Sequence, residues 1–244
     1  MAKLICLQSG HEGVVSGATG APGEQELNVR IRNRLSQILI DKGFVLQLVD
    51  ANPPQSQINK DFDLFLALHG DADIYGTGGG VIGYIADYID SSPESNAESK
   101  RIKEAIESEY FDRAGIVNHP ERNNRNITEY YMWSRLSAKT PCVLLEMGVV
   151  QDAHDKVILA DTDRVANAIA RGICKAFGVA FDPVIPTIPM VTIPKTEYDG
   201  LKSQVSSLSS TVESQKVALA LCKSECQKAD TVKKQKIIDY INSL

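Results

Sequence analysis

Several residues suited to hydrolytic chemistry sit at the ends of short apolar runs. His11 follows "KLICLQ" (3–8), His69 closes "DLFLALH" (63–69), and Glu146 lies near the end of "CVLLEMG" (142–148). Glu24 follows Gly23 and opens the amphipathic stretch "EQELNVRIRNRLSQILIDKG" (24–43). Two histidines and a carboxylate are a common catalytic zinc set, because they fill three corners of a tetrahedron and leave the fourth to water. A further carboxylate can take a proton from that water while the metal polarises a carbonyl. The four residues together therefore match metal-assisted hydrolysis of an amide. Chemistry alone does not rank Glu24, Glu12 and Glu26 for the carboxylate ligand. Glu26 faces away from Glu24 on a helix, and Glu12 competes with its neighbour His11 for direction.

Each residue taken singly has a plainer reading. His11 alone is an ordinary loop histidine, and His69 a satisfied core histidine. Glu24 could serve only to complement the positive end of a helix. Glu146 could belong to a structural ion pair, although a glutamate buried after "CVLL" is costly without a partner. The four in company favour the site.

The elements that must position them follow from periodicity. "KLICLQ", "FVLQLV" (44–49), "DLFLALH", "VIGYIA" (81–86) and "CVLLEMG" read as strands. Residues 24–43 place Leu27, Ile31, Leu35, Ile38 and Leu39 on one helical face, and Gly43 ends that helix. "ESNAESKRIKEAIESEY" (94–110), "ITEYYMWSRL" (127–136) and "DTDRVANAIARGICKAFG" (161–178) read as further helices. Near-continuous apolar strands alternating with amphipathic helices predict a three-layer α/β domain, its mostly parallel sheet covered by helices on both faces. In such sheets ligands sit beyond the C-terminal strand ends, which is where His11, His69 and Glu146 fall.

The composition shifts after residue 180. Residues 181–195 carry Pro183, Pro186, Pro189 and Pro194 and read as an extended linker. Beyond it, Tyr198, Leu201, Val205, Leu208, Val212, Gln215, Leu219, Cys222 and Cys226 recur at steps of three and four. That is about four heptads of a coiled-coil seam. Residues 196–244 are therefore expected to be a helical segment that oligomerises or targets the protein, the seam at 198–226 favouring a homo-oligomer. Cys222 and Cys226 lack a second ligand pair, and read as seam packing or a disulfide across a symmetric partner.

The chain has 244 residues, 43% of them hydrophobic, and a formal charge of −5. Residues 195–244 hold eight lysines against six acids, so the tail is about +2 and the rest about −7. That balance argues against non-specific nucleic-acid binding. No apolar stretch reaches the roughly 20 residues of a transmembrane helix. The start "MAKLICLQSG" does not read as a secretory signal, which predicts synthesis in a cytoplasm. An odd set of five cysteines fits a reducing compartment, with Cys6 and Cys142 as small core residues. "YGTGGGVIG" (75–83) lacks the lysine of a phosphate loop and reads as a flexible loop entering a strand. His119 and His154 read as surface residues, His119 also being a lesser candidate for substrate contact. Arg125, Asn126 and Tyr130 lie in a poorly patterned stretch that assigns them no role.

Four segments, in order, resemble the zinc-dependent N-acetylmuramoyl-L-alanine amidases of the amidase 3 type. "SGHEGVVSGATG" (9–20) is similar to that family's Gly-His-Gly-Gly segment and Gly-Ala-x-Gly turn. "EQELNV" (24–29) resembles its Glu-Lys-Asp-x-Asn helix start, and "LALHGDA" (66–72) its Ser-Leu-His-x-Asn-Ala segment. "TPCVLLEMGVVQDAHDKVIL" (140–159) resembles its Pro-Ala-x-Leu-Val-Glu-x-Gly-Phe segment. The resemblance implies zinc (Zn2+) bound by His11, Glu24 and His69, with Glu146 as the catalytic carboxylate. It covers about residues 3–178. This chain departs from it with Glu12 for glycine, Asp71 and Asp152 for asparagine, and Val149 for phenylalanine. Glu12 and Asp71 are expected to add negative charge near the metal.

The implied activity is hydrolysis of the bond between N-acetylmuramic acid and L-alanine in peptidoglycan. Without a signal sequence, it implies a phage endolysin that reaches the cell wall after another factor opens the membrane. Two rival readings stand beside it: a non-catalytic wall-binding or phage structural protein that oligomerises through its coiled coil, and a zinc peptidase on another amide.

Overall fold

The computed structural model describes residues 2–15, 20–72, 76–87, 89, 91–182, 203–204, 206–212 and 214–216. The chain divides into two units, Met1–Val184 and Ile185–Leu244. In the first, the strands are β1 (Leu4–Ser9), β2 (Val45–Val49), β3 (Leu64–Asp71), β4 (Val81–Tyr84) and β5 (Cys142–Val149). The helices are α1 (Glu24–Asp41), α2 (Gln55–Ile58), α3 (Pro93–Ala114), α4 (Arg125–Thr128), α5 (Ala153–Ala160) and α6 (Thr162–Ala176).

The sheet order is β2-β1-β3-β5-β4. β2, β1, β3 and β5 are parallel, and β4 alone runs antiparallel, against β5. β4 is reversed because β3 reaches it through a short loop. A parallel return needs a crossover of a dozen or more residues.

Strand alternation sorts the side chains into two layers. Ile5, Leu7, Leu64, Leu66, Leu68, Val143 and Leu145 pack on one face against α1, α3 and α6. Cys6, Phe65, Ala67, Cys142 and Leu144 pack on the other with Ile58, Phe62, Ile127, Met132 and Trp133. That second face is covered by short helices and turns. Cys6, Cys142 and Cys174 are free and buried, and burial pushes the Cys6 thiol up to about 12 despite Lys60 nearby.

Local signals set the helix ends. Gly43 follows α1 in a left-handed conformation (φ 86°), and the Gly43 and Phe44 N–H groups bond back to Ile40 and Leu39. Ser92 caps α3, its hydroxyl accepting from the Ser95 N–H, with Pro93 behind it. Asp152 caps α5, an element that periodicity did not mark out.

The helix expected over 127–136 does not form. α4 stops at Thr128, and a single 3-10 turn follows at Trp133–Arg135. The Ile127 carbonyl, which a helix would offer to Tyr131, instead accepts from the Tyr130 N–H and, at 2.9 Å, from the Trp133 indole. Trp133 is thereby turned under the sheet edge-on to Phe65.

In the second unit, residues 203–204, 206–212 and 214–216 are helical and exposed. Most of the expected linker (183–195), and Tyr198, Leu201, Val205, Leu219, Cys222 and Cys226 of the expected seam, lie outside the described residues.

α3 and α6 cross in close contact at Gly172, where an added Cβ would lie 2.4 Å from the Cα of Ile106. Alanine is the better helix former by about 1 kcal/mol. Gly172→Ala should nonetheless lower unfolding free energy, by ~1–3 kcal/mol, because backbone must move to admit the methyl. Urea unfolding followed by circular dichroism checks the sign.

Candidate active site

Four side chains converge toward the C-terminal ends of β1, β3 and β5. β1 runs out at Ser9, and the Gly10 N–H pairs with the Leu68 carbonyl. At His11 the chain turns through φ 61°, the one positive φ outside glycine among the described residues. Such a conformation costs of order 1–3 kcal/mol, so its surroundings must enforce it. The Glu12 carbonyl accepts from the Ala51 N–H at 3.3 Å. The Glu12 carboxylate forks onto the Arg32 guanidinium, with Nη2 3.3 Å from Oε1 and Nη1 against Oε2. Arg32 also donates to the Val49 carbonyl at 3.0 Å. Glu12 is therefore tied to α1 by a cation, and is not the added charge near a metal that the sequence suggested.

Glu24 is the first residue of α1 and only 2% exposed. Its Oε2 accepts from the Ala21 N–H at 2.8 Å. Its Oε1 lies 3.3 Å from His11 Nε2 and 3.5 Å from His69 Nδ1. Burial opposes the charge on Glu24, but the bonds to His11, His69 and Ala21 outweigh it and hold the carboxyl down at about 2. One turn on, Asn28 donates to the Gly10 carbonyl at 3.0 Å, joining α1 to the His11 turn.

His69 lies near the C-terminal end of β3, directly opposite Glu146 on β5, so both point to the same face. Gly10 lies flat against the imidazole, and a Cβ there would fall 2.4 Å from the ring. His11 meets it edge-on at 4.9 Å. Burial pushes the His69 pKa down, with Glu24 opposing.

The donor spacing suits a small divalent ion. Ligands ~2.0–2.1 Å from a tetrahedral zinc lie ~3.3 Å apart. The three donor atoms of His11, Glu24 and His69 fall within 4.8 Å of one another. Of the three acids left open by chemistry, Glu24 is the one turned inward; Glu26 is exposed on the far side of α1.

Glu146 faces this cluster with its Oε2 buried and without a hydrogen-bond partner. Burial first, then the charges of Asp71 and Glu24, raises its pKa well above the usual carboxylate range. Asp71 is itself raised, mainly by burial. The cluster opens into a cleft of about 800 Å³ that also meets Asn52, Arg125, Asn126, Glu129, Tyr130 and Tyr131. Sequence reasoning assigned no role to Arg125, Asn126 or Tyr130. The Tyr130 hydroxyl lies 3.1 Å from His69 Nε2 and 3.2 Å from Gln8 Oε1. A detectable signal did exist: a glutamine in an apolar strand needs a buried polar partner.

The glycine loop expected to be flexible is tied down at residues 77–79. Arg122, 6% exposed, donates to the Thr77, Gly78 and Gly79 carbonyls, and buried Asp155 accepts from the Gly79 and Val149 N–H groups. Asp152, His154 and Asp155 lie close enough to hold an ion. Asp152 Oδ1 already accepts from α5's first N–H groups, Asp155 Oδ2 from the Gly79 and Val149 N–H groups, and Asp155 Oδ1 pairs with His154 Nδ1. His119 pairs with Glu121 at 2.7 Å.

Glu12→Ala should lower unfolding free energy by ~1–3 kcal/mol, because it strips the buried Arg32 of its carboxylate. Chemical denaturation measures this, and an unchanged midpoint would show that the pair does not support the His11 turn.

Residues 5–176 match the family model described as N-acetylmuramoyl-L-alanine amidase, Amidase_3. No curated protein matches the chain. Among solved structures, it is similar to the amidase AmiC2 of Nostoc punctiforme at 23% identity and a TM-score of 0.56, over 72% of this chain and 97% of that one. It is similar to the amidase Ami1 of Mycobacterium smegmatis at 15% and 0.57, over 72% and 97%. The catalytic domain of CwlV from Bacillus (Paenibacillus) polymyxa var. colistinus matches at 20% and 0.52, over 73% and 99%. At these identities the structural likeness shows the fold.

Proposed function

Because this chain belongs to the N-acetylmuramoyl-L-alanine amidase family Amidase_3, we propose that it is a zinc hydrolase cutting the bond between N-acetylmuramic acid and L-alanine in peptidoglycan. The observation that carries the reading is the convergence of His11 Nε2, Glu24 Oε1 and His69 Nδ1 opposite the unpartnered Oε2 of Glu146. Zinc in that donor set would supply Lewis acidity and acidify water.

Glu146 does the proton work. Its Oε2 is free to accept the proton of the attacking water and to return it to the departing L-alanine nitrogen. Burial, then the charges of Asp71 and Glu24, raises its proton affinity; a cation held by His11, Glu24 and His69 would oppose that rise and keep Glu146 ionised to accept a proton. Glu24 keeps its charge and holds His11 and His69 at fixed spacing. Wall lysis of the endolysin kind belongs to the same reading and is supported by the resemblance; loss of turbidity on adding the protein to bacterial cells tests it.

Glu146→Gln should retain zinc yet lower kcat/KM by about 100-fold or more, read as new L-alanine amino termini released from peptidoglycan. Full activity in that variant removes Glu146 as the base, and new termini on another residue identify a peptidase. The substitution also has a stability sign. A carboxyl raised in the folded state loses stabilisation as pH climbs above its ordinary value of 4.5. Glutamine does not titrate, so the zinc-free variant should gain in melting temperature over the parent as pH rises.

The seam at 198–226 supports a homo-oligomer. Leu208 and Val212, four apart on one helical face, are 64% and 49% exposed. Light scattering should find the full chain oligomeric and a chain ending near Thr192 monomeric. A monomeric full chain refutes the coiled coil.

A further inference from the structure

The cleft that holds His11, His69 and Glu146 has a second wall, lined by Arg125, Asn126 and Glu129 of α4 and the turn that follows it. This wall is anchored. The Thr128 carbonyl accepts from the Ala86 N–H at 2.9 Å, and the Ile127 carbonyl from the Trp133 indole. Directly after Glu129, the Tyr130 hydroxyl reaches to 3.1 Å from His69 Nε2. Arg125 thus stands little more than one helical turn from a residue that touches the metal-ligand set.

Arg125 is held by Glu129, four residues on. The carboxylate takes Nε at 2.5 Å and Nη2 at 3.0 Å in a two-pronged pair. Glu129 is the more buried partner, with 26% of its side chain exposed against 83% for Arg125. The carboxylate therefore anchors, and the guanidinium stands in solvent at the cleft. A guanidinium has five N–H groups and one carboxylate engages two, so it can serve a second carboxylate.

The charge around it selects the ligand. Arg125 is the one permanent cation among the described residues that line the cleft, which also meets Glu129 and Glu146. Residues 1–194 carry about −7. An anionic group entering the cleft is repelled by most of its surroundings and attracted at Arg125. The amide proposed for cleavage joins the sugar acid to L-alanine, so the peptide stem continues from the L-alanine side. The next residue, D-glutamate linked through its γ-carboxyl, keeps an α-carboxyl outside the chain. In an extended stem that group lies about 6 Å from the cut nitrogen, a short span within a cleft of about 800 Å³.

We infer that Arg125 is a specificity-determining residue that binds the carboxylate on the second residue of the peptide stem. The substrate rests on the amidase reading; the subsite rests on the cleft.

Two N-acetylmuramoyl tripeptides test this, identical except that the second residue is D-isoglutamate in one and its amide, D-isoglutamine, in the other. The zinc-loaded protein should cut the acid form with a kcat/KM about 10-fold above that for the amide. Arg125→Gln should abolish the difference, cutting the acid form no better than the parent cuts the amide, through a rise in KM. A merely structural role would weaken both forms alike. A third tripeptide, amidated instead at its C-terminus, should be cut like the acid form. A parent indifferent to the amide, an Arg125→Gln variant that keeps the full preference, or a preference that follows the C-terminal carboxyl overturns the inference. If the parent cuts none of the three, the amidase reading fails. Calorimetric binding of the same peptides to the parent and to Arg125→Gln then decides the subsite. Tighter binding of the acid form by the parent alone supports it, and equal binding overturns it.

Discussion

Glu24 is a carboxylate buried at the first turn of a helix, between two imidazoles from two different strand ends. Removing such a charge from water costs several kcal/mol unless other groups repay it. Here His11, His69 and the Ala21 N–H do so. Each of those partners must then be held in place. His69 is held by the pairing of β3 between β1 and β5. His11 is held in a conformation that residues with a side chain rarely adopt. α1 is docked so that its first turn, and not its middle, meets the sheet edge, and Asn28 links it to the Gly10 carbonyl.

The charges around the site separate into two classes. Glu24, Asp71 and Glu146 lie close enough to affect one another's ionisation. Glu12 and the carbonyls of the glycine loop are nearby but neutralised locally, by Arg32 and Arg122. Negative charge is thus concentrated on the face that opens to the cleft. A compact cation among these carboxylates relieves their mutual repulsion, consistent with the donor spacing. Glu12, where the family resemblance has glycine, acts here as a brace for the backbone carrying His11.

Much of this was legible in sequence, and the failures have identifiable causes. The parallel core strands were legible because they are buried on both faces and so are almost continuously apolar. α1, α3 and α6 were legible because their apolar stripes and end signals are local. Residues 127–136 also carry helix-like spacing, yet Trp133 found a better partner in the Ile127 carbonyl than the helix ladder offered. α5 was missed because it is short, although its Asp152 cap is a plain start signal. The glycine loop looked flexible because its anchors, Arg122 and Asp155, lie far along the chain.

By itself the sequence determined the α/β class, the strand ends on which His11, His69 and Glu146 stand, and the short set of acids that could join the histidines. Those features depend on side-chain period and on neighbours within one element. Only the tertiary structure decided that Glu24 turns inward while Glu12 pairs with Arg32, and that Tyr130 stands behind His69. These choices are made by groups drawn from residues 8, 32, 51 and 130, which strand register and helix docking bring within hydrogen-bond distance. No local pattern encodes that proximity.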